Sequence, residues 1–170
     1  MSRAVIGVCV IGAGRAGMIH AGNFATAIPG ACLAGLADPS QTAIKAAQAR
    51  LPGAKAYADY RQALEDKQVN AVVVATPTQF HRQIAIEAAQ AGKHVLCEKP
   101  MAVNAGECQE MIAAADQHGV RLQIGFMRRF DANFIAAKSR IELGQIGQVV
   151  LVKSLTHGPN VPKPWMYDIR

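Results

Sequence analysis

Short apolar runs alternate with longer segments of helical periodicity along most of this chain. The runs are rich in β-branched residues and are bounded by turn-forming residues, a pattern typical of buried strands. They predict strands at 5–11, 32–37, 55–58, 71–75, 94–97, 121–125 and 149–155. The segments between them predict helices at 14–27, 40–50, 60–66, 79–91, 104–118 and 131–143.

The alternation of strands and helices is the order of βαβ units. It implies parallel strands with helices covering both faces of the sheet. We therefore predict the fold class α/β, with a doubly wound parallel sheet in a domain spanning residues 1–125. Residues 126–170 are predicted to hold a connecting helix and the start of a second α/β domain, because no helix follows the strand at 149–155.

Composition narrows the class of protein further. Hydrophobic residues make up 51% of the sequence and charged residues 18%, which excludes a disordered chain. The net charge is +6, but the basic residues are scattered, and this disfavours nucleic-acid binding. No apolar run reaches the roughly 18 residues of a membrane span, and no secretory signal is recognisable. The four cysteines lack metal-ligand spacing, so we expect buried thiols, no metal site and a cytoplasmic protein.

Three glycines, Gly12, Gly14 and Gly17, form the sequence GAGRAG directly after the first predicted strand. Between a strand and a helix, G-x-G-x-x-G is the fingerprint of a dinucleotide-binding turn. The first glycine allows a tight turn, the second lets a pyrophosphate approach, and the third lets the helix pack closely. The pattern predicts a Rossmann domain, with a purely structural turn as the alternative.

Asp38 ends the second predicted strand, about 20 residues after Gly17. A carboxylate at this position accepts hydrogen bonds from the adenosine ribose and repels a 2′-phosphate. No Lys or Arg adjoins it in the sequence ADPS. NAD is therefore favoured over NADP. The alternative is that Asp38 caps the following helix.

Charged residues also follow the fifth predicted strand, in the order Glu98, Lys99, Pro100. Ligands of open α/β sheets bind beyond the carboxyl ends of the strands, where Thr76 and Pro77 also fall. There an ammonium could stabilise an alkoxide, and a carboxylate could bind ribose hydroxyls or pair with Lys99. A cis Lys99–Pro100 bond is conceivable. From the residues alone, a solvated loop with ordinary charges is an equal alternative.

Four segments together resemble the glucose–fructose oxidoreductase / inositol dehydrogenase (Gfo/Idh/MocA) family: GAGRAG, ADPS, ATPTQFH and CEKPM. The resemblance runs over nearly all of the chain, and E-K-P is its most specific mark. The segment GFMRRFD is similar to that of inositol 2-dehydrogenases. The resemblance implies a Rossmann domain followed by a second α/β domain with a large open sheet. It also implies NAD(P)-dependent oxidation of a secondary alcohol, usually on a sugar or cyclitol.

The resemblance also implies roles for single residues. Lys99 would be the catalytic lysine at the reacting hydroxyl, and Arg128 would reach substrate hydroxyls. Glu98 would meet the nicotinamide ribose and Asp38 the adenosine ribose. The other implied cofactor contacts are Gly12, Ala13, Gly14, Arg15 and Ala16 at the pyrophosphate, and Thr76, Pro77, His81, Lys99 and Met127 near the nicotinamide. His81 has an alternative as a helix cap, because it lies in the first turn of a predicted helix.

One part of the family's pattern has no counterpart here. The family's proton acceptor is a histidine four residues after an aspartate, whereas the only histidines beyond Lys99 are His118 and His157, which follow Ala114 and Lys153 by four. We therefore expect the Asp–His pair beyond residue 170, and a chain that is the N-terminal, cofactor-binding part of a longer enzyme and inactive alone. The resemblance further implies a homo-oligomer that forms through the sheet of the second domain.

Three functions stay open at this point. The first is an NAD-dependent dehydrogenase that transfers a hydride between a polyol or sugar substrate and nicotinamide. The second is a family member that acts on another polyol or on an amino-sugar nucleotide. The third is a non-catalytic NAD-binding module, which the presence of Lys99 disfavours.

Overall fold

The structure is a computed structural model that describes residues 5–155. The chain divides into two compact units. The first ends at Phe126 and the second begins at Met127.

The first unit is a single sheet of six parallel strands in the order β3-β2-β1-β4-β5-β6. The strands are β1 (Ile6–Ile11), β2 (Ala31–Ala37), β3 (Lys55–Tyr57), β4 (Ala71–Val74), β5 (His94–Cys97) and β6 (Leu122–Ile124). The helices are α1 (Arg15–Thr26), α2 (Gln41–Arg50), α3 (Tyr60–Glu65), α4 (His81–Gln90) and α5 (Ala105–Gln117), and a 3-10 turn (Thr78–Phe80) precedes α4. The predicted doubly wound parallel sheet is confirmed.

The core lies on both faces of the two central strands. In β1, Cys9 and Ile11 pack into one apolar cluster while Val8 and Val10 pack into the other. The same alternation occurs in β4, where Val73 faces the second cluster. A strand that is covered on both faces has no polar side, which explains the unbroken apolar runs in the sequence.

The strand order reverses between β1 and β4. Consecutive strands are added on one side of β1 up to β3, and the chain then crosses to β4 on its other side. Loops leaving β1 and β4 therefore diverge to opposite faces and open a crevice at the carboxyl edge of the sheet, where ligands of this architecture bind.

The cysteines only partly follow the predicted burial. Cys9 and Cys97 are buried, and burial first of all, then nearby carboxylates, raises the pKa of each thiol to about 12. Cys32 is exposed, so the prediction of a buried thiol is wrong there. The reason is that β3 pairs only with residues 35–37 of β2, which leaves the beginning of β2 at the margin of the sheet. No helix in the described range 5–155 is long and apolar enough to cross a membrane.

The second unit contains a 3-10 turn (Met127–Phe130) and α6 (Ala132–Glu142) within residues 127–155. Asp131 caps α6 by accepting the N–H groups of Asn133 and Phe134. The strand predicted at 149–155 is wrong: these residues are not in a strand, and the exposed fraction reaches 94% at Val150. An apolar run forms a strand only beside a partner strand, and the described residues provide none for it. Residues 156–170 lie outside the described range.

Candidate cofactor site at the carboxyl edge of the sheet

The glycine turn after β1 is shaped by two close backbone approaches. Gly12 has a φ of +100°, and a Cβ atom there would lie 2.6 Å from the carbonyl oxygen of Ala75. A Cβ on Gly17 would lie 1.8 Å from the carbonyl oxygen of Gly12. Only glycine fits these two positions, in agreement with the tight turn and close helix packing that the motif predicts.

Gly14 has a different surrounding from the other two glycines. It is the N-cap residue of α1, makes no side-chain cap, and a Cβ there would have no atom within 4 Å. The first turn of α1, which contains Arg15 and Ala16, thus faces open space. The N–H groups of a first helical turn have no acceptor within the helix, and the helix dipole favours negative charge at this end. This end of α1 is suited to a phosphate group.

Asp38 at the end of β2 is tied to the glycine turn. Its Oδ2 accepts the backbone N–H of Ala13 at 2.8 Å, and its Oδ1 accepts that of Ser40 at 2.8 Å. The alternative role as a helix cap is wrong, because Ser40 caps α2 by accepting the N–H of Ala43. The two bonds fix the carboxylate in place, and each oxygen keeps lone-pair capacity for a further donor. The backbone N–H of Ala13 donates to Asp38 and is therefore not free to bind a ligand.

A cleft of about 690 Å³ opens between the glycine turn and the exits of β2, β3 and β4. Its lining includes Gly12, Gly14 and Asp38 on one side and Thr76 and Pro77 on the other. The Oγ1 hydroxyl of Thr76 is buried and has no hydrogen-bond partner within the described part of the chain. A buried hydroxyl without a partner costs on the order of 1–3 kcal/mol, so the cleft has a polar group that a ligand would satisfy.

One wall of this cleft was not found from the sequence. Tyr60 and Arg61 at the start of α3 line it together with Phe80 and Gln83. The Tyr60 hydroxyl donates to Glu87 at 2.8 Å, and burial followed by this bond raises the pKa of the phenol well above its usual range. The Arg61 guanidinium also binds Glu87 and lies 4.7 Å from the centre of the Tyr60 ring. The strand-exit rule, applied to β3 as it was to β4 and β5, would have located this wall.

Glu98 at the exit of β5 has a partner that sequence reasoning missed. Nε2 of His20, on α1, donates to its Oε1 at 2.8 Å, and the backbone N–H of Lys99 donates to its Oε2 at 3.2 Å. Partial burial raises the pKa of this carboxyl, but the bond from His20 and that from Lys99 outweigh it and hold the pKa below its usual range. Glu98 is therefore an anionic acceptor. Its side-chain hydrogen-bond partner is His20.

Lys99 is exposed, and the bond between it and Pro100 is cis. His81 lies close by in the fold but is only 1% exposed. Its Nδ1 is 2.9 Å from the carbonyl oxygen of Pro100, and its Nε2 is 2.9 Å from that of Thr76. It does not cap α4, since no side chain caps that helix. Both ring nitrogens are thus occupied by backbone carbonyls, and His81 is absent from the cleft lining.

Met127, expected near the nicotinamide, and Arg128, expected at the substrate, belong to the second unit. Met127 is 63% exposed and begins the 3-10 turn. Arg128 follows it, with its guanidinium 5.4 Å from the centre of the Phe134 ring. Their expected contacts with cofactor and substrate stay predictions.

The residues of the first unit fit a dinucleotide. The cleft presents an uncapped helix start, a fixed carboxylate and an unsatisfied hydroxyl along one continuous edge of the sheet. These are groups that bind, respectively, phosphate, ribose hydroxyls and a polar atom of a ligand.

A comparison with protein-family models matches residues 6–126 to the Gfo/Idh/MocA model, described as an oxidoreductase family with an NAD-binding Rossmann fold. The chain belongs to this family. The resemblance stated from the four motifs is thereby confirmed, and so is the NAD-binding Rossmann fold.

Relatives within the Gfo/Idh/MocA family include inositol dehydrogenases. The chain is 37% identical to a scyllo-inositol 2-dehydrogenase (NAD(+)) of Bacillus subtilis over 153 residues, which is 90% of this chain and 45% of that protein. It is also 37% identical to a myo-inositol 2-dehydrogenase of Thermotoga maritima, covering 90% of this chain and 46% of that protein. The chain spans about half the length of the curated relatives it matches.

Solved structures of Gfo/Idh/MocA relatives agree with the fold. A scyllo-inositol dehydrogenase from Lactobacillus casei, with bound NAD(H) and scyllo-inositol, matches with a TM-score of 0.80 and 33% identity over 84% of this chain and 42% of that one. The WlbA dehydrogenase from Bordetella pertussis, in complex with NADH and UDP-GlcNAcA, matches with a TM-score of 0.81 and 34% identity over 87% of this chain and 42% of that one.

Proposed function

We propose that this chain is the cofactor-binding part of an NAD-dependent dehydrogenase that acts on a secondary alcohol of a cyclitol or sugar. The observation that carries the proposal is the fixed Asp38 carboxylate beside the open glycine turn. The inositol dehydrogenases among the relatives and the segment GFMRRFD support the cyclitol class. The family relationship supports hydride transfer as the reaction.

In this proposal the glycine turn and Asp38 hold the adenosine diphosphate half of NAD. Gly14, Arg15 and Ala16 face the pyrophosphate at the start of α1, with Gly12 and Ala13 shaping the turn. Asp38 accepts the adenosine ribose hydroxyls with the lone pairs that Ala13 and Ser40 leave free.

The nicotinamide half is assigned to the exits of β4 and β5. Bound NAD supplies the hydride acceptor. Thr76 offers its unsatisfied hydroxyl and Pro77 borders the cleft. Glu98, held as an anion, accepts a ribose hydroxyl. Met127 would lie near the nicotinamide, and His81 would border this half through the backbone carbonyls of Thr76 and Pro100.

Lys99 is proposed as the catalytic lysine. Its ammonium is exposed at the exit of β5, where it would orient the reacting hydroxyl and stabilise negative charge that develops on that oxygen. Arg128 would bind other substrate hydroxyls. The proton acceptor is assigned to an Asp–His pair outside this sequence, so we expect this chain to bind NAD without turning over substrate. The cytoplasm is the compartment that suits its free thiols.

A second substrate class is supported by one comparison. The Bordetella pertussis relative is bound to UDP-GlcNAcA, an amino-sugar nucleotide, and is as similar to this chain as the inositol enzymes are. Turnover of a complete enzyme that carries this chain, assayed with inositols, pyranoses and amino-sugar nucleotides, separates the two classes.

Assembly is proposed to involve the second unit. Its described residues leave Phe134, Ile135, Leu151 and Val152 at least half exposed. Exposed apolar surface of this extent is commonly an interface. A homo-oligomer formed through the second domain would cover it, and sedimentation of a complete enzyme as a monomer would contradict this.

Asp38→Ala tests the ribose assignment. We expect the affinity of the chain for NAD to fall about tenfold, because a charge-assisted hydrogen-bond acceptor is lost. Affinity for NADP should fall less, because the repulsion of the 2′-phosphate is lost at the same time. Calorimetric titration with both cofactors measures the ratio. Asp116→Ala, at an exposed position on α5, is the matched control. An unchanged NAD-to-NADP ratio in Asp38→Ala would remove the ribose role.

A further inference from the structure

The segment Glu98–Pro100 is contacted by histidines from two different helices. His20 on α1 binds the side chain of Glu98, one residue before Lys99. His81 at the start of α4 binds the carbonyl oxygen of Pro100, one residue after Lys99. The two contacts thus lie on either side of Lys99 in the chain.

We propose that His20 and His81 are positioning residues that hold the segment Glu98–Pro100, and with it the backbone of Lys99, in the geometry that the site requires. The proposal rests on the function assigned above to Glu98 and Lys99. Neither histidine needs to touch substrate for this role.

The Glu98 carboxylate is bound at both oxygens, and His20 supplies one of the two bonds. Oε1 is bound by His20 at 2.8 Å, and Oε2 is bound by the backbone N–H of Lys99 at 3.2 Å. The side chains of His20 and Glu98 are 24% and 23% exposed, so the pair is largely shielded from solvent. A shielded, charge-assisted bond is stronger and geometrically more selective than a surface one. Removing His20 would free both the carboxylate and the amide that binds it.

His81 connects the exits of β4 and β5 beyond the point where backbone hydrogen bonds join the two strands. At the exit of β5, the backbone N–H of Glu98 donates to the carbonyl oxygen of Val74 on β4 at 2.9 Å. Further along, the carbonyls of Thr76 and Pro100 both approach the ring of His81. Two carbonyls cannot bind each other, because each only accepts. The ring of His81 lies between them, with one ring nitrogen 2.9 Å from each carbonyl oxygen.

These contacts determine how Lys99 is oriented. The side chain of Lys99 is exposed, so its own packing does little to fix it. Its backbone is instead held from α1 on one side and from α4 on the other. A reacting group that is held in place before the substrate arrives loses less entropy in the transition state. The same contacts connect the glycine-turn helix to the opposite end of the site.

The test compares two substitutions at His20 in the 170-residue chain. His20→Leu removes the N–H donor, whereas His20→Gln keeps one at similar reach. His118→Leu, at an exposed histidine, is the matched control. Hydrogen exchange of the Lys99 amide reports directly how firmly the segment Glu98–Pro100 is held. The Val95 amide inside the sheet serves as an internal reference. Melting temperature and NAD affinity are measured on the same samples.

In His20→Leu we expect exchange of the Lys99 amide to rise about tenfold relative to Val95, and NAD affinity to fall about tenfold, since one charge-assisted bond is lost. His20→Gln should restore both, and His118→Leu should change neither. A Lys99 amide that exchanges at the wild-type rate in His20→Leu would overturn the proposal. So would a His20→Gln variant that behaves like His20→Leu, because the donor would then be irrelevant.

The His81 half is tested in the wild-type chain, because a substitution at this buried site could unfold it. Nitrogen NMR of the imidazole should show a ring N–H proton of His81 that exchanges with solvent much more slowly than that of the exposed His118, because it is buried and hydrogen-bonded. A His81 ring proton that exchanges as fast as that of His118 would overturn this half. If exchange at Lys99 responds to His20 as expected but the wild-type chain does not bind NAD, the positioning role of His20 is supported and the proposed function is contradicted.

Discussion

Gly17→Ala should destabilise the first unit by roughly 3 kcal/mol or more, an effect in the range reserved for severe steric conflicts. The new Cβ would lie 1.8 Å from the carbonyl oxygen of Gly12, a backbone atom that cannot rotate away. Relief requires α1 to move off β1, which opens the core around Val10 and Ala21. Urea unfolding followed by circular dichroism measures the change.

Gly14→Ala is the matched control from the same turn. Its Cβ would have no atom within 4 Å, and its φ of −73° is accessible to alanine. The variant should stay within about 1 kcal/mol of the wild-type stability. The added methyl group nevertheless occupies the space before the start of α1, so NAD affinity should fall at least about tenfold. If Gly17→Ala unfolds at the wild-type urea concentration, the close packing of α1 on β1 is not as described.

The largest functional effect is expected at Lys99. In a complete enzyme that carries this chain, Lys99→Ala should reduce kcat about a hundredfold or more, because an electrostatic or acid–base contributor at the reacting oxygen is lost. NAD affinity should change little, since the assigned role is in the transition state. Steady-state NADH production from inositols and pyranoses measures kcat, and calorimetry measures NAD affinity.

Two further variants serve as comparisons for Lys99→Ala. Lys99→Arg should not restore kcat, because a planar guanidinium does not replace a compact ammonium. Lys67→Ala removes an exposed lysine in the connection between α3 and β4 and should leave kcat unchanged. A near-normal kcat in Lys99→Ala would make the lysine a structural or cofactor-binding residue, even with the fold and the NAD site as described.

Much of the first unit was predictable because its signals are local. The strand β4 reads as an unbroken β-branched run, since Val72, Val73 and Val74 are all fully buried between two layers of helices. The glycine turn follows from steric needs within six residues of sequence. The rule that ligands bind at strand exits places Asp38 and Glu98 at one edge of the sheet from the sequence alone.

The features that the sequence did not reveal depend on long-range contacts. His20 and Glu98 are 78 residues apart in the chain, and no local pattern indicates that they meet. The double contact of His81 likewise depends on where the exits of β4 and β5 run. The strand predicted at 149–155 was wrong because its apolar pattern is local, whereas strand formation depends on a neighbouring strand. The described residues do not contain such a neighbour.

The central claim is that this chain binds NAD at the glycine turn and Asp38. It is tested most directly by calorimetric titration of the folded 170-residue chain with NAD, with NADP in parallel and Gly14→Ala as the comparison variant. We expect saturable binding of one NAD per chain, weaker binding of NADP, and a marked loss of affinity in Gly14→Ala. A folded chain that shows no NAD binding, or that binds NADP more tightly than NAD, would contradict it.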